Sequence, residues 1–158
     1  MPKTHHYTTK ITWTGNTGTG TSGYTHFSRD HEIEVGTKTI IKASSDPAFR
    51  GDPARHNPEE LFLSSLSSCH MLWFLHLCTV EGVVVVDYQD EATGVMEESA
   101  NGSGKFIEAT LHPVVTVAEE RMVSKVDSIH SRANKMCFIA NSCNFPVKHS
   151  STVKVQEN

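Results

Sequence analysis

The residues best suited to chemistry are the cysteines, above all Cys69, which is followed directly by His70. The chain contains four cysteines, and the other three are Cys78, Cys137 and Cys143. A cysteine thiolate is a nucleophile that can be oxidised reversibly, whereas a buried thiol with no further role packs as a small apolar group. The elements around each cysteine therefore decide which of these two roles it can have.

Cys69 lies in the middle of a long predicted helix, 57–81. Asn57 is a favourable N-cap and Pro58 fits the first helical position, and the two glutamates that follow complement the helix dipole. Gly82 is typical of the residue that ends a helix. Because this segment is apolar nearly all round, it predicts a buried helix that carries a reactive thiol.

Helical periodicity separates the two cysteines of this segment. Cys69 and Cys78 are nine residues apart, so they face opposite sides of one helix and cannot form a disulfide with each other. We therefore expect Cys78 to be a core residue, while Cys69 needs a partner from the late cysteines, Cys137 or Cys143. A thiol in mid-helix ionises near neutral pH when a cation lies beside it, and an arginine held by a carboxylate is the most reliable one.

The two histidines of this helix could also take part in acyl transfer or in zinc binding, but the sequence favours neither role. His70 points about 100° away from Cys69, which favours a core histidine with one hydrogen bond over acyl-transfer chemistry by the pair. Zinc binding by Cys69, His70, His76 and a late cysteine matches no strong ligand pattern, so no metal is expected.

The remaining segments predict a mixed fold. An antiparallel meander precedes the helix, and strands, a second helix and a final strand follow it, which together indicate an α+β domain. Pro113 inside the longest strand predicts an edge position or a bulge, and Cys137 falls near the C-terminal end of the second helix. The predicted strands are 6–14, 24–27, 31–35, 39–43, 83–88 with 96–99 as its continuation, 106–117 and 147–155, and the second helix is 119–142.

Composition limits the class of protein. The length of 158 residues predicts one domain, and 14 Lys+Arg against 18 Asp+Glu, scattered along the chain, argue against nucleic acid as a partner. The apolar run at 61–80 has the length of a membrane span, but serines, histidines and cysteines interrupt it, so no membrane is expected. Free thiols and no signal-peptide pattern predict a cytoplasmic protein.

Two motifs carry a family resemblance. Asn-Pro-Glu-Glu-Leu at 57–61, ahead of Cys-His-Met at 69–71, together with Cys-Phe-Ile-Ala-Asn at 137–141, resembles the OsmC/Ohr family of thiol-dependent peroxidases. The Cys-His-Met triplet is similar to an OsmC-like branch. The chain departs from the commonest form because Phe138 stands where the family often has proline and Cys143 is an extra thiol.

The resemblance implies an OsmC-like fold of antiparallel sheets wrapped around two long central helices. It implies an intertwined homodimer with active sites at the subunit interface. A single domain would then cover 1–158, with the meander and loop in 1–56, the central helix in 57–81 and the remaining elements in 82–158.

The resemblance also implies reduction of organic hydroperoxides in oxidative stress defence. Cys69 would be the peroxidatic residue that becomes a sulfenic acid, and Cys137 would resolve it as a disulfide, with Cys143 left open as a competitor. Glu59 would orient the arginine that stabilises the thiolate, which is Arg50 or, alternatively, Arg29. No bound cofactor is implied, and the reductant would be an external dithiol such as a lipoyl group.

Helix geometry adds one constraint. Glu59 and Cys69 are separated by about 15 Å along one helix, so Glu59 acts through an arginine or on a partner chain. A run of small residues would let two such helices pack closely: Ser64, Ser65, Ser67 and Ser68. The rival interpretation is a non-catalytic protein of the same fold whose buried thiols bind a small ligand or a metal.

Overall fold

A computed structural model describes residues 2–157. By its internal contacts the chain divides into two compact units, of which the first ends at Leu61 and the second begins at Phe62. Each unit is described separately below. The single domain expected over 1–158, whose two end residues lie outside the described range, stays a prediction.

The first unit contains a three-stranded antiparallel sheet in the order β1-β2-β3. The strands are β1 (Lys10–Trp13), β2 (His31–Glu34) and β3 (Ile41–Ala43). The predicted hairpin between 31–35 and 39–43 is confirmed, and Gly36 supplies a positive φ of 56° in its turn. The first strand is shorter than its predicted range 6–14.

The strand predicted at 24–27 is wrong. Phe27 forms only an isolated bridge to Asn16, and the N–H of His26 turns back to the carbonyl of Gly23 at 2.9 Å. This local turn uses a backbone group that a strand would offer to a neighbouring strand, so no ladder forms here.

Helix α1 (Pro58–Val80) confirms the predicted central helix. Asn57 Oδ1 accepts the N–H of Glu60 at 2.8 Å, and Glu60 Oε2 accepts the N–H of Asn57 at 3.2 Å, which is a capping box. At the other end Gly82 has φ 68° and donates to the Thr79 carbonyl at 3.3 Å. With the bond from Val83 N–H to the Cys78 carbonyl at 2.8 Å, this end is a Schellman motif.

Within residues 2–157, α1 is the one helix long and apolar enough to cross a membrane. Core helices of globular proteins share that length and composition. Several of its side chains are buried in the second unit: Leu66, His70, Phe74, Leu77 and Cys78.

The second unit has two three-stranded sheets, ordered β4-β7-β9 and β5-β6-β8. Their strands are β4 (Val85–Asp90), β5 (Thr93–Glu98), β6 (Gly104–Leu111), β7 (Pro113–Val117), β8 (Val147–His149) and β9 (Thr152–Val155). The pairs β4/β7 and β5/β6 are antiparallel, as expected, whereas β6/β8 and β7/β9 are parallel. Each strand predicted over 106–117 and 147–155 is in fact two strands, one in each sheet.

Pro113 marks the change of sheet, not the predicted edge or bulge. It is the first residue of β7, the central strand of its sheet, where a missing N–H does not interrupt the ladder. The preceding N–H, of His112, donates to Asp90 Oδ1 at 2.6 Å. The segment 96–99 likewise does not continue 83–88, since it belongs to β5 in the other sheet.

The second helix is shorter than predicted. A 3-10 helix (Glu120–Lys125) leads into α2 (Val126–Met136), and a 3-10 turn (Ala140–Ser142) follows. Cys137 is extended, with φ −67° and ψ 112°, so its predicted place inside the helix is wrong and it follows the helix directly. The Asn141 side chain donates to the Lys135 carbonyl at 3.0 Å and thereby satisfies a backbone group of the last helical turn.

The core of the second unit lies between the two helices and the sheet that contains β7. Val126, Ile129 and Ala133 form a buried apolar stripe along α2. They pack with Phe74 of α1 and with Val115 of β7, which fixes the helix that carries Cys69 against the helix that precedes Cys137.

Candidate active site

The structure brings Cys69 and Cys137 together as free thiols. Cys69 is half-buried on α1, whereas Cys137 directly after α2 is only 1% exposed. Burial is the main cause that raises the pKa of Cys137 to about 11, and the neighbouring Cys69 thiol raises it further. An accessible thiol thus lies beside a buried thiol that is protonated at neutral pH.

Cys137 is oriented by the turn that follows α2. Its Sγ accepts the N–H of Ala140 at 3.4 Å, and its carbonyl accepts the N–H of Asn141 at 3.0 Å. These bonds hold the backbone of Cys137 and limit the rotation of its side chain. The turn therefore positions the sulfur towards Cys69.

The other two cysteines have different surroundings. Cys78 is 1% exposed in the core, and burial raises its pKa to about 12, so the prediction of a core thiol is confirmed. Cys143 is half-buried and donates to the Ile139 carbonyl at 3.2 Å, and burial raises its pKa as well. Only Cys137 has a described interaction with Cys69 within residues 2–157.

His70 is a buried residue with one hydrogen bond, as predicted. Its Nε2 lies 2.9 Å from Nδ1 of His130, and the two rings are nearly parallel, with centroids 5.2 Å apart. Burial is the main cause that lowers the pKa of His70 to about 4 and that of His130 to about 3. His149 lies within 6 Å of both rings and lowers both values further.

His130 was not singled out from the sequence, although its spacing contains the signal. It follows Val126 by four residues and precedes Ala133 by three, so it belongs to the apolar stripe of α2. Phe74 stacks on its ring at 3.9 Å, and His130 Nε2 is buried with no hydrogen-bond partner within residues 2–157. The pair is therefore neutral and belongs to the core.

The suggested zinc ligands are not brought together. Across the described part of the chain, no group of three or more His, Cys, Asp or Glu side chains is placed to hold a metal ion. His76 packs edge-on against Trp73 with centroids 5.7 Å apart, and His70 is bonded to His130.

The serines of α1 do not form one uniform packing face. Ser67 donates to Asp90 Oδ2 at 2.5 Å, and Ser65 donates to the Phe62 carbonyl at 2.6 Å. Ser64 and Ser68 are exposed. They border an open cleft of 460 Å³ between α1 and β4, whose other lining residues are Leu63, Ser67, Met71, Tyr88, Asp90, Glu91 and Ala92.

Both candidate arginines lie near one tyrosine in the first unit. The Arg29 guanidinium is 4.6 Å from the centroid of Tyr24 and 4.2 Å from that of Phe27, and it donates to both carbonyls. The Arg50 guanidinium is 5.7 Å from the Tyr24 centroid. Arg50 also has φ 67°, which is uncommon for a residue with a side chain. Within residues 2–157 it makes no ion pair.

The carboxylate of Glu59 lacks part of its hydrogen bonding. Its Oε2 is buried and has no hydrogen-bond partner among the described residues. A buried carboxylate oxygen without a donor is costly, and such groups are normally completed by another side chain, a water or a partner molecule. The first unit therefore leaves one acceptor available to a cation.

Comparison with known proteins identifies the family. The model of the OsmC-like protein family matches residues 51–152. No curated protein matches the chain. The Cys-His-Met branch inside the family stays a prediction, as does the intertwined dimer.

Three solved structures illustrate the similarity. An OsmC-like protein of unknown function from Vibrio cholerae is 28% identical over 94% of this chain and 100% of its own, with a TM-score of 0.84. An organic hydroperoxide resistance protein from Elizabethkingia anophelis is 14% identical over 99% and 100%, with a TM-score of 0.70. One from Legionella pneumophila is 15% identical over 98% and 100%, with a TM-score of 0.68. The predicted α+β fold and family resemblance are thus confirmed, and the chain belongs to the OsmC-like protein family.

Proposed function

We propose that this protein is a thiol-dependent peroxidase that reduces organic hydroperoxides in oxidative stress defence. The observation that carries the proposal is the pairing of half-buried Cys69 with fully buried Cys137. Two fold relatives are named organic hydroperoxide resistance proteins, which supports the substrate class.

The reaction begins at the more accessible sulfur. The Cys69 thiolate attacks the distal oxygen of the hydroperoxide, the O–O bond breaks, and the alkoxide leaves and takes up a proton to become an alcohol. Cys69 is now a sulfenic acid. The sulfur of Cys137 then attacks the sulfur of Cys69, and the thiol proton leaves with the hydroxide as water, which forms the disulfide.

The surroundings of Cys137 suit the resolving role. Its pKa of about 11 keeps it protonated at neutral pH, so it does not compete for the peroxide. Its side-chain contact with Cys69 also keeps it ready to capture the sulfenic acid before a second oxidation.

An arginine would stabilise the Cys69 thiolate, and Arg50 is the better candidate. The Nη1 of Arg29 already donates to two backbone carbonyls, whereas the Arg50 guanidinium has no described hydrogen bond within residues 2–157 and lies only near the Tyr24 ring. Glu59, whose buried Oε2 lacks a donor there, would accept from the arginine and hold its planar group in place.

The cycle is completed by an external dithiol, such as a lipoyl group, with no bound cofactor. One of its sulfurs attacks the disulfide, and its second sulfur then releases the protein thiol, so the dithiol is oxidised as both cysteines are reduced. A cytoplasmic location would supply such reductants and keep the remaining thiols reduced.

Thiol counting tests the proposed function. The reduced chain has four thiols, and one equivalent of cumene hydroperoxide should remove two of them. Mass spectrometry of the oxidised protein should then find Cys69 linked to Cys137. If the chain keeps all four thiols, it is a non-catalytic binding protein. If Cys69 is linked to Cys143, the resolving residue is Cys143 and not Cys137.

A homodimer is part of the proposal. In the first unit Ile11, Ile33 and Ile41 stand side by side across the three strands. Ile11 is 58% exposed and Ile41 is 37% exposed, so this row offers apolar surface to a second chain.

Mixed dimers test whether Glu59 serves the Cys69 of its partner. Glu59→Gln alone should lower the rate by about 100-fold, as for other groups that stabilise active-site charge. Co-expression with Cys69→Ser chains should restore about a quarter of the wild-type rate, because half the dimers then contain one complete site. As a control, Cys69→Ser should be co-expressed with the Glu59→Gln/Cys69→Ser double variant, which gives no complete site. No recovery in the first mixture would place Glu59 and Cys69 of one chain in the same site.

A further inference from the structure

A buried pair of histidines joins the two helices that position the reacting thiols. Nε2 of His70 on α1 lies 2.9 Å from Nδ1 of His130 on α2, and within residues 2–157 no other hydrogen bond links these two helices. His70 is 1% exposed and His130 is 0% exposed, so neither ring can touch a substrate. Any part that the pair has in the reaction must therefore be exerted through other residues.

Each histidine is close along the chain to one of the two thiols. His70 directly follows Cys69, and His130 precedes Cys137 by seven residues, which is nearly two helical turns. A rotation of α1 by about 20°, which would break the histidine bond, moves an atom about 5 Å from the helix axis by roughly 2 Å. The bond between the rings therefore also fixes the position of the Cys69 sulfur relative to Cys137.

The surroundings of the pair restrict it to one arrangement. Phe74 stacks on the His130 ring with centroids 3.9 Å apart, and the His149 ring lies 5.6 Å from that of His70 and 5.8 Å from that of His130. Nδ2 of Asn134 on α2 lies 3.4 Å from Nδ1 of His149. Burying polar rings among apolar neighbours is costly unless they meet in hydrogen-bonding geometry. Such a contact selects one register of α1 on α2, which apolar contacts alone do less strictly.

We propose that the His70–His130 hydrogen bond positions Cys137 for its attack on the Cys69 sulfenic acid. This inference rests on the proposed function, because it concerns the second step of that reaction. In this step the two sulfurs form a bond, the S–O bond of Cys69 breaks, and the hydroxide leaves with the thiol proton as water. Both histidines are positioning residues, since they touch neither the peroxide nor the reacting sulfurs.

The two steps of the reaction differ in how strictly they depend on this position. A displacement of about 1 Å can slow a reaction between two held groups by about 100-fold. Cys69 and Cys137 are both held by the fold, so their reaction is sensitive to a shift of α1 against α2. The hydroperoxide instead arrives by diffusion and can follow a small movement of Cys69. Loss of the histidine bond should therefore slow disulfide formation and spare the first oxidation.

The test measures the two steps separately on the full reduced chain. Quenched-flow mixing with cumene hydroperoxide gives peroxide consumption, whose rate rises with peroxide concentration, and disulfide formation, which approaches a constant rate. In the double variant His70→Leu with His130→Leu, disulfide formation should slow by at least about tenfold, while peroxide consumption stays within about twofold of wild type. Because both partners of the bond are replaced by apolar groups, the thermal midpoint at neutral pH should not fall. Trapping with dimedone should show a longer-lived sulfenic acid.

Two amide variants separate the hydrogen bond from the bulk of the rings. A glutamine amide can take the place of Nε2 of His70, and the shorter asparagine amide that of Nδ1 of His130. His70→Gln with His130→Asn should therefore restore disulfide formation to within about threefold of wild type. His70→Asn with His130→Asn is shorter by one methylene, cannot form the bond and should remain slow. Ile129→Val, which loosens the same core without touching the pair, should keep the wild-type rate.

The outcomes distinguish this inference from the proposed function. A wild-type rate of disulfide formation in the leucine variant, equal rates in the two amide variants, or an equal loss in both steps overturns the inference and leaves the peroxidase proposal standing. If the leucine variant does not fold, the comparison of the two amide variants decides. A wild-type chain that consumes no hydroperoxide overturns both proposals.

Discussion

Replacing Cys69 with serine is expected to abolish hydroperoxide reduction, with a loss of at least about 10⁴-fold, the order observed when a catalytic nucleophile is removed. A hydroxyl cannot become a sulfenic acid, and the neighbouring Cys137 is buried and protonated, so it cannot take over. Peroxide consumption in a dithiol-coupled assay measures the effect.

Cys137→Ser should give a different result. The first oxidation of Cys69 should proceed, and the sulfenic acid should persist long enough to be trapped by a dimedone reagent, while sustained turnover is lost. Cys143→Ser is the matched control, and it should keep full turnover. If Cys137→Ser blocks the first oxidation and Cys69→Ser does not, the two roles are reversed.

Lowering the pH from 7 to 5 is expected to destabilise the fold by roughly 4 kcal/mol through the His70–His130 pair. In the unfolded chain each ring titrates near a pKa of 6.5, whereas burial lowers the pKa of His70 to about 4 and that of His130 to about 3. The unfolded state therefore binds more protons below pH 6.5. Stability is lost progressively as the pH falls from about 6.5 to about 3, and it is recovered at neutral pH.

Thermal unfolding at a series of pH values measures this effect. The midpoint should fall by about 10 °C between pH 7 and pH 5 for a chain of this size. His149 and Asp90 face the pair from β8 and β4, so both should be kept in the variants. A double variant, His70→Leu with His130→Leu, should flatten the profile, whereas His76→Gln, at an exposed position, should not. A steep profile that persists in the double variant would assign acid sensitivity to other groups.

The ends of the central helix could be predicted from local sequence alone. The residues that start and stop α1 act on their immediate neighbours through the Asn57–Glu60 capping box and the Gly82 turn. These start and stop residues can therefore be recognised without knowing which distant residues contact the helix. The core position of Cys78 follows from the same helix by periodicity alone.

The strands were less predictable because their ends depend on partners. A continuous β-type pattern over 106–117 contains no sign that its two halves join different sheets. At that division the N–H of His112 donates to Asp90, which is distant in sequence. The end of α2 depends similarly on Asn141, whose side chain returns to the Lys135 carbonyl. Secondary-structure propensity reflects only residues that are close along the chain. It therefore cannot predict a hydrogen bond to a residue that becomes a neighbour only on folding.

By itself the sequence determined the α+β class, the family resemblance, the helix that bears Cys69 and the candidate thiols, because these depend on local spacing and motifs. Only the tertiary structure decided that Cys137 lies outside the helix and against Cys69. It alone revealed the buried His70–His130 pair and the meeting of Trp73 with Phe138. Each of these three contacts joins residues at least 60 positions apart, and such pairs meet only when α1 and the segment from α2 to its following turn pack in one core.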